Sequence, residues 1–340
     1  MTQPTYPPAD RPTMYFIGVT TAKSSIMRVF PEWATFLELG DCRIRGIDLA
    51  QHDEPGRYRE VVEHIKCDPL SLGALVTTHK IDLLAACKDQ FDDLDEFAER
   101  MGEISSISKR AGRLVGHAKD PITSGLALEA FLPDRYWQTT GAEVFVMGAG
   151  GSAIAVTWHL MKREHPGRAS LPPATARAVA VPGWLDRGAN RPAKIIVANR
   201  TRPRLREIET LHQQFDPDFP TEYHHTPQPE KSDAIVGRLA PGSLVINATG
   251  LGKDWPGSPL TDAAVFPERG IAWDFNYRGD LVFLDQARAQ QKARNLRIED
   301  GWLYFIHGWT RVIAEVFGVD IPVEGPVFDE LSAIAARVRG

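Results

Sequence analysis

A chain of 340 residues, 43% hydrophobic and 24% charged, has ordinary globular composition and more length than one core usually fills, which predicts two domains. The formal net charge of −5, with lysines and arginines scattered, offers no electrostatic footprint for nucleic acid or an anionic membrane. No window approaches the roughly 18 apolar residues of a spanning helix, so no membrane partner is expected. Three cysteines (Cys42, Cys67 and Cys87) are odd in number and lack CxxC or Cys/His metal spacing. No metal is expected, and a reducing cytoplasmic location suits them. Residues 1–13 are proline-rich, lack a secretory pattern and are expected to form a loose tail.

From Tyr15 onward, short apolar runs alternate with amphipathic stretches. YFIGVT (15–20) predicts a strand, 24–40 a helix, CRIRGIDLA (42–50) a strand, GRYREVVEHIK (56–66) a helix and LGALVTT (72–78) a third strand. Such alternation implies right-handed βαβ units on a mostly parallel sheet. Two further strand-like runs flank Arg110-Ala111-Gly112 and predict a hairpin. A second alternating series starts with EVFVM (143–147) and the helix 151–164. It continues with IIVANR (195–200), TEYHH (221–225), SLVINAT (243–249) and GIAWDFNY (270–277). The last 60 or so residues read as helices at 280–293, 302–317 and 325–338. Between Lys162 and Ile195 lies a connection far longer than the usual 2–6 residues. It joins a helix end to a strand start, away from the ligand edge, and reads as a surface insertion at about 165–193.

Three local patterns carry chemistry. Gly148-Ala149-Gly150-Gly151-Ser152-Ala153 directly follows an apolar strand and opens a helix, the arrangement that brings a pyrophosphate onto a helix N-terminus. The next strand ends in Asn199-Arg200-Thr201-Arg202-Pro203-Arg204, with no carboxylate for a ribose 2′-hydroxyl. Arginine forks and a hydroxyl there suit a 2′-phosphate and favour NADP over NAD. Asn247, Thr249 and Gly250 end a further apolar strand and read equally as turn formers and as cofactor contacts. Finally, Thr77-Thr78-His79-Lys80 puts a lysine where a buried strand surfaces. Such a lysine either caps a solvated helix start or serves as a proton donor held in a cleft.

In series, these motifs resemble the shikimate dehydrogenase family over roughly residues 15–318, outside the insertion. A V-T-x-P-H-K-like strand end stands at Val76–Lys80, a G-A-x-N-T-like turn at residues 102–106, and a G-x-N-T-D-like strand end at residues 116–120. GAGGSA, NRTxxR, INATxxG and WDFNY (273–277) follow in the family's order. The resemblance implies an α/β architecture in which an N-terminal substrate-binding and catalytic domain precedes a Rossmann-type, doubly wound NADP domain, with C-terminal helices returning to the first. The expected division is 14–125 plus 295–340 for the first and 126–294 for the second. It also implies that Lys80 and Asp120 form the catalytic pair, and that Ser24, Thr77, Ser105, Tyr277 and His307 face the substrate. Gly148, Gly150, Gly151, Ser152, Ala153, Asn199, Arg200, Thr201, Arg204, Asn247, Thr249 and Gly250 would hold NADP.

Departures from the pattern are concentrated on the substrate side. Ser105 replaces an asparagine, Ala118 and Lys119 replace the Asn-Thr of the N-T-D turn, and the helical glutamine gives way to the neighbourhood of His307 and Trp309. A site that bonds each substrate hydroxyl discriminates strongly, so these losses argue for a changed substrate. The expected function is an NADP-dependent dehydrogenase interconverting a secondary alcohol and a ketone on a small carboxylated ring. Alternatives are a true shikimate or quinate dehydrogenase, an imine or amino-acid reductase, and a non-catalytic NADP-binding sensor; the retained Lys80 and Asp120 favour an enzyme. Beyond a small-molecule substrate, the sequence admits a homodimer without requiring one.

Overall fold

The computed structural model describes residues 6–161, 190–253 and 255–338. Of the expected insertion, residues 165–189 lie outside the described residues. The described residues divide into two compact units, one holding those up to Lys119 and from Gly308 onward, the other those from Asp120 to Met161 and from Asn190 to His307.

The first unit carries strands β1 (Thr13–Gly18), β2 (Arg43–Asp48), β3 (Ser71–Val76), β4 (Asp93–Leu94), β5 (Ser106–Arg110) and β6 (Arg113–His117), in the order β2-β1-β3-β5-β6-β4. Helices α1 (Ile26–Phe36), α2 (Pro55–Cys67), α3 (Lys80–Cys87) and α4 (Glu96–Met101) connect them. β1 is buried at every position and pairs in parallel with β2 and β3, as expected for a strand covered on both faces. β5 and β6 form the expected hairpin. Ala111 (φ 49°) and Gly112 (φ 78°) both adopt positive φ, the signature of a two-residue type I′ turn. Residues 6–12 are tied down: the Ala9 amide donates to Asp68 (2.7 Å), and Arg43 pairs with Asp10 (2.6 Å).

The second unit begins with α5 (Asp120–Phe131) and α6 (Tyr136–Thr140). Then come β7 (Val144–Met147), α7 (Gly151–Met161), β8 (Ile195–Asn199), α8 (Arg202–Phe215), β9 (Thr221–His225), α9 (Pro229–Val236), β10 (Leu244–Asn247), β11 (Ile271–Asp274), α10 (Val282–Arg294) and β12 (Arg297–Glu299). All pairings are parallel and the order is β12-β11-β10-β7-β8-β9. Numbered from β7, this is the 3-2-1-4-5-6 order of a dinucleotide fold. Phe145, Ile196, Val245, Ala272, Phe283 and Leu284 belong to its core. The edge strand β9 is half-buried throughout, and Glu222 on it meets Lys194 (2.8 Å) and Arg238 (2.9 Å), charges that discourage edge pairing. Between the helices expected at 280–293 and 302–317 the structure adds an element that no pattern suggested, because Arg297–Glu299 is a strand on β11. Three residues carry too little periodicity to reveal a strand that its neighbour creates.

α11 (Trp302–Phe317) and α12 (Pro326–Val338) follow, and α12 packs on α1 within the first unit, where the Trp33 indole donates to the Leu331 carbonyl (2.8 Å). The first unit also buries a charge cluster. Lys119 Nζ sits 2.8 Å from Glu315 on α11, while the His117 ring lies 3.5 Å from Asp95 and 3.6 Å from Glu315. Burial works to raise the Glu315 carboxyl, but Lys119 and His117 outweigh it and hold the group down at about 2. Removing one partner of a buried pair strands the other charge, typically at about 3–5 kcal/mol, whereas an apolar pair is tolerated. Lys119→Met should therefore lower the unfolding free energy by about 3 kcal/mol, the low end because His117 and Arg110 still face Glu315. The double variant Lys119→Met, Glu315→Leu should recover most of that loss in denaturant titrations. A single variant as stable as the parent would refute the argument.

Candidate active site

In the first unit, several sequence-predicted residues gather at one end of the sheet. Ser24 is nearly buried in the loop after β1, and its amide donates to the Thr21 carbonyl (2.9 Å). Thr77 continues β3 through a bond from its amide to Ile17 (3.0 Å). Ser105 lies beside the same strand end, since the Val76 amide donates to its carbonyl (2.9 Å). Lys80 is the first residue of α3, half-buried, and its carbonyl accepts from the Ile104 amide (3.2 Å). The Ser105 hydroxyl accepts from the Lys119 amide (2.7 Å), so this candidate substrate contact also holds the end of β6. Asp120 is not among them: it is the first residue of α5, in the second unit.

The chain passes from β3 to α3 through a strained corner. Thr78 has φ 60°, uncommon for a β-branched residue, and the His79 amide closes onto the Thr77 carbonyl (2.5 Å). This three-residue γ-turn has positive φ at its centre, the rarer and more strained form.

In the second unit, the carboxyl ends of β7 and β10 adjoin at the point where the strand order reverses. Gly148 has φ 114°, and a Cβ on it would stand 2.5 Å from the Ala248 carbonyl oxygen, so only glycine fits. Around Gly150, by contrast, a Cβ would meet open space. Gly151 opens α7, and the Ile154 amide makes the first bond back to Gly150 (3.0 Å). The amides of Gly151, Ser152 and Ala153 are thus the unpaired donors of a helix N-terminus, suited to an anion. At the end of β8, Arg200 and Arg202 are exposed, while Arg204 pairs with Glu207 (2.7 Å). Asn199 braces the turn by donating to Thr201, and His225 contacts the Arg200 carbonyl (3.0 Å). The donor set and the glycine cradle fit the pyrophosphate and 2′-phosphate of NADP.

Asn247 is fully buried and works within the protein. Its side chain accepts from Thr249 (amide 3.1 Å, hydroxyl 2.7 Å) and donates to Asp274 (3.0 Å). Thr249 and Gly250 are half-buried in the loop it shapes. Tyr277 packs against Phe305 (ring centroids 4.6 Å) and Trp302 (5.3 Å), and His307 is buried. Among the described residues, no group of three or more His, Cys, Asp or Glu side chains could hold a metal ion, and no helix is long and apolar enough to cross a membrane.

Sequence reading passed over Asp274. It closes β11 fully buried, and burial pushes its carboxyl up to about 7 against the opposing bonds from Asn276 and Asn247. Its place at a strand end next to INAT was the available signal.

No family model matches the chain. It is 28% identical over 227 residues to the shikimate dehydrogenase (NADP(+)) of Symbiobacterium thermophilum, a match covering 66% of this chain and 64% of that relative. The match thus spans less than two thirds of that relative's length. A match of 23% identity over 306 residues covers 86% of this chain and 88% of the shikimate dehydrogenase (NADP(+)) of Gluconobacter oxydans. Among solved structures, the shikimate 5-dehydrogenase of Thermus thermophilus in complex with NADP(H) and shikimate aligns over 96% of this chain and 99% of its own (TM-score 0.62, 21% identity). The quinate dehydrogenase of Corynebacterium glutamicum in complex with NAD aligns over 97% and 100% (TM-score 0.69, 16% identity).

Asp274 yields a pH prediction. A carboxyl raised in the fold above its unfolded value of about 3.9 contributes stability that is complete below pH 4 and disappears as pH climbs through the folded value. The stability of the parent protein relative to Asp274→Asn should therefore fall between pH 4 and about 7, by on the order of 4 kcal/mol. Denaturation midpoints of both proteins at pH 4.5, 6 and 8 check this, and a constant difference across the window would contradict it.

Proposed function

We propose, from the premise that this chain belongs to the shikimate dehydrogenase family, that it is an NADP-dependent dehydrogenase. It acts on the CH–OH group of a small carboxylated cyclic alcohol. The observation that carries the reading is the glycine-only approach of Gly148 to Ala248 at the reversal point of the second sheet, beside the basic end of β8.

Gly148, Gly150 and the first turn of α7 would hold the pyrophosphate, and Arg200, Thr201 and Arg204 the 2′-phosphate. When bound, the cofactor supplies the hydride acceptor. Lys80 then takes the hydroxyl proton as the alcohol becomes a ketone and returns it in the reverse direction. The order of motifs assigns Asp120, the first residue of α5, as the second member of the proton-transfer pair. The curated relatives' shared name supports the activity, and the order of motifs supports the assignment of the lysine.

Substrate choice is narrower than the reaction type. Ser105 spends its hydroxyl on the Lys119 amide, Lys119 spends its ammonium on Glu315, and Ala118 has nothing to offer. We take the preferred substrate to be a ring acid with fewer ring hydroxyls than shikimate. A screen of NADP⁺ reduction over shikimate, quinate and less hydroxylated ring acids tests it, with the expectation of highest kcat/KM on the last group. Lys80→Ala should lose turnover by orders of magnitude while keeping NADP⁺ affinity. Turnover unchanged in that variant would remove the lysine from the mechanism.

Replacing both Arg200 and Arg204 with alanine should weaken NADP⁺ binding about tenfold or more, the scale of one lost charge-assisted contact, and leave NAD⁺ binding as it was. Titration of the two cofactors side by side reads the outcome. Parallel losses for both would point to a damaged fold instead of a lost 2′-phosphate contact.

A further inference from the structure

We propose that Tyr58 on α2 is a positioning residue for Lys80, acting through His79 and the strained turn at Thr78; the inference rests on Lys80 being the proton-transfer residue.

The turn between β3 and α3 has to be held, because its central residue is β-branched and sits at φ 60°. Strain of this kind persists only where the surroundings over-determine it, and such places concentrate at functional sites. Here the holding group is the His79 ring. It is 1% exposed, and its Nδ1 lies 3.2 Å from the Tyr58 hydroxyl, which is equally buried. That hydroxyl accepts from the Asp53 amide (3.1 Å) and still has its own proton to give, which is assigned to His79 Nδ1. With that assignment the imidazole is held as the neutral tautomer with its hydrogen on Nε2. Burial, which pushes the ring's pKa down, acts in the same direction.

His79 is also the residue from which α3 starts, since its carbonyl accepts the Leu83 amide (2.8 Å). Lys80 is the next residue, with its own carbonyl engaged by Ile104. One phenol on α2 therefore sets the imidazole, the imidazole sets the corner, and the corner sets the direction of the first residue of α3. Apart from the Asp53 amide, nothing on the inward face of α2 calls for a hydroxyl: the neighbouring inward positions are Val61, Val62 and Ile65. A phenylalanine would fill the same space.

The test is steady-state kinetics on Tyr58→Phe with the best substrate of the screen, beside a control of comparable or greater destabilisation on the same helix, Val61→Ala. We expect Tyr58→Phe to lower kcat and kcat/KM together by about tenfold to a hundredfold, with NADP⁺ affinity within twofold of the parent, the pattern of an interaction made only in the transition state. The pH profile of kcat should shift its Lys80 limb in Tyr58→Phe and leave it in place in Val61→Ala, whose kcat should match the parent. Parent-like kcat in Tyr58→Phe, or equal losses in both variants with neither limb moved, overturns the inference while the dehydrogenase reading stands. A parent protein inactive on every substrate overturns that reading and this inference with it.

Discussion

Hydrogen-bond ladders of parallel strands run out together at one edge, leaving amides and carbonyls that loops must satisfy or present to a ligand. Both units are organised by that constraint. In the second, the ends of β7 and β10 come so close that Gly148 lies against the Ala248 carbonyl, and a single methyl group would force them apart. The loop after β10 is consequently held by side-chain bonds of Asn247 and Asp274, and the amides at the start of α7 remain for an anion. In the first unit, the ends of the adjacent parallel strands β1 and β3 lead to the Ser24 loop and to the corner before Lys80.

Placing polar groups at these ends buries charge, and the two units resolve the cost differently. The first supplies opposite charges: Lys119 and Glu315 pair, with His117 between Glu315 and Asp95. Among the described residues, the second gives Asp274 amide donors and no cation, so burial dominates and pushes the carboxyl up to about 7. A salt bridge of the first kind locates two elements relative to each other more than it stabilises either. The Lys119–Glu315 pair does so between the end of β6 and α11. A lone buried carboxyl makes its loop sensitive to pH instead.

Much of this was readable from local pattern. TEYHH is the strand Thr221–His225, the helix at 302–317 has the expected limits, and the hairpin turns at Ala111-Gly112. The glycine cradle is legible for the same reason, because strand, turn and helix start are contiguous in sequence. What stayed hidden depends on partners distant in the chain. Lys119 and Glu315 are 196 positions apart, and nothing near either residue announces the other. Tyr58 belongs to the apolar face of α2, where periodicity reads it as core. Arg297–Glu299 is a strand only because β11 lies beside it.

The same distinction explains why reaction type and substrate are unequally legible. Proton transfer needs one lysine at a strand end and a cradle for the dinucleotide, and each is a short motif. Discrimination among ring alcohols depends on hydroxyls, amides and carboxylates that have no other engagement, since an unmatched buried polar group is what rejects the wrong ligand. Ser105 and Lys119 look available in the sequence, yet each is engaged elsewhere in the first unit: the serine hydroxyl with a backbone amide, the ammonium with Glu315. On the proposed function, with those two committed and Ala118 apolar, this stretch has less polar matching to give a heavily hydroxylated ring.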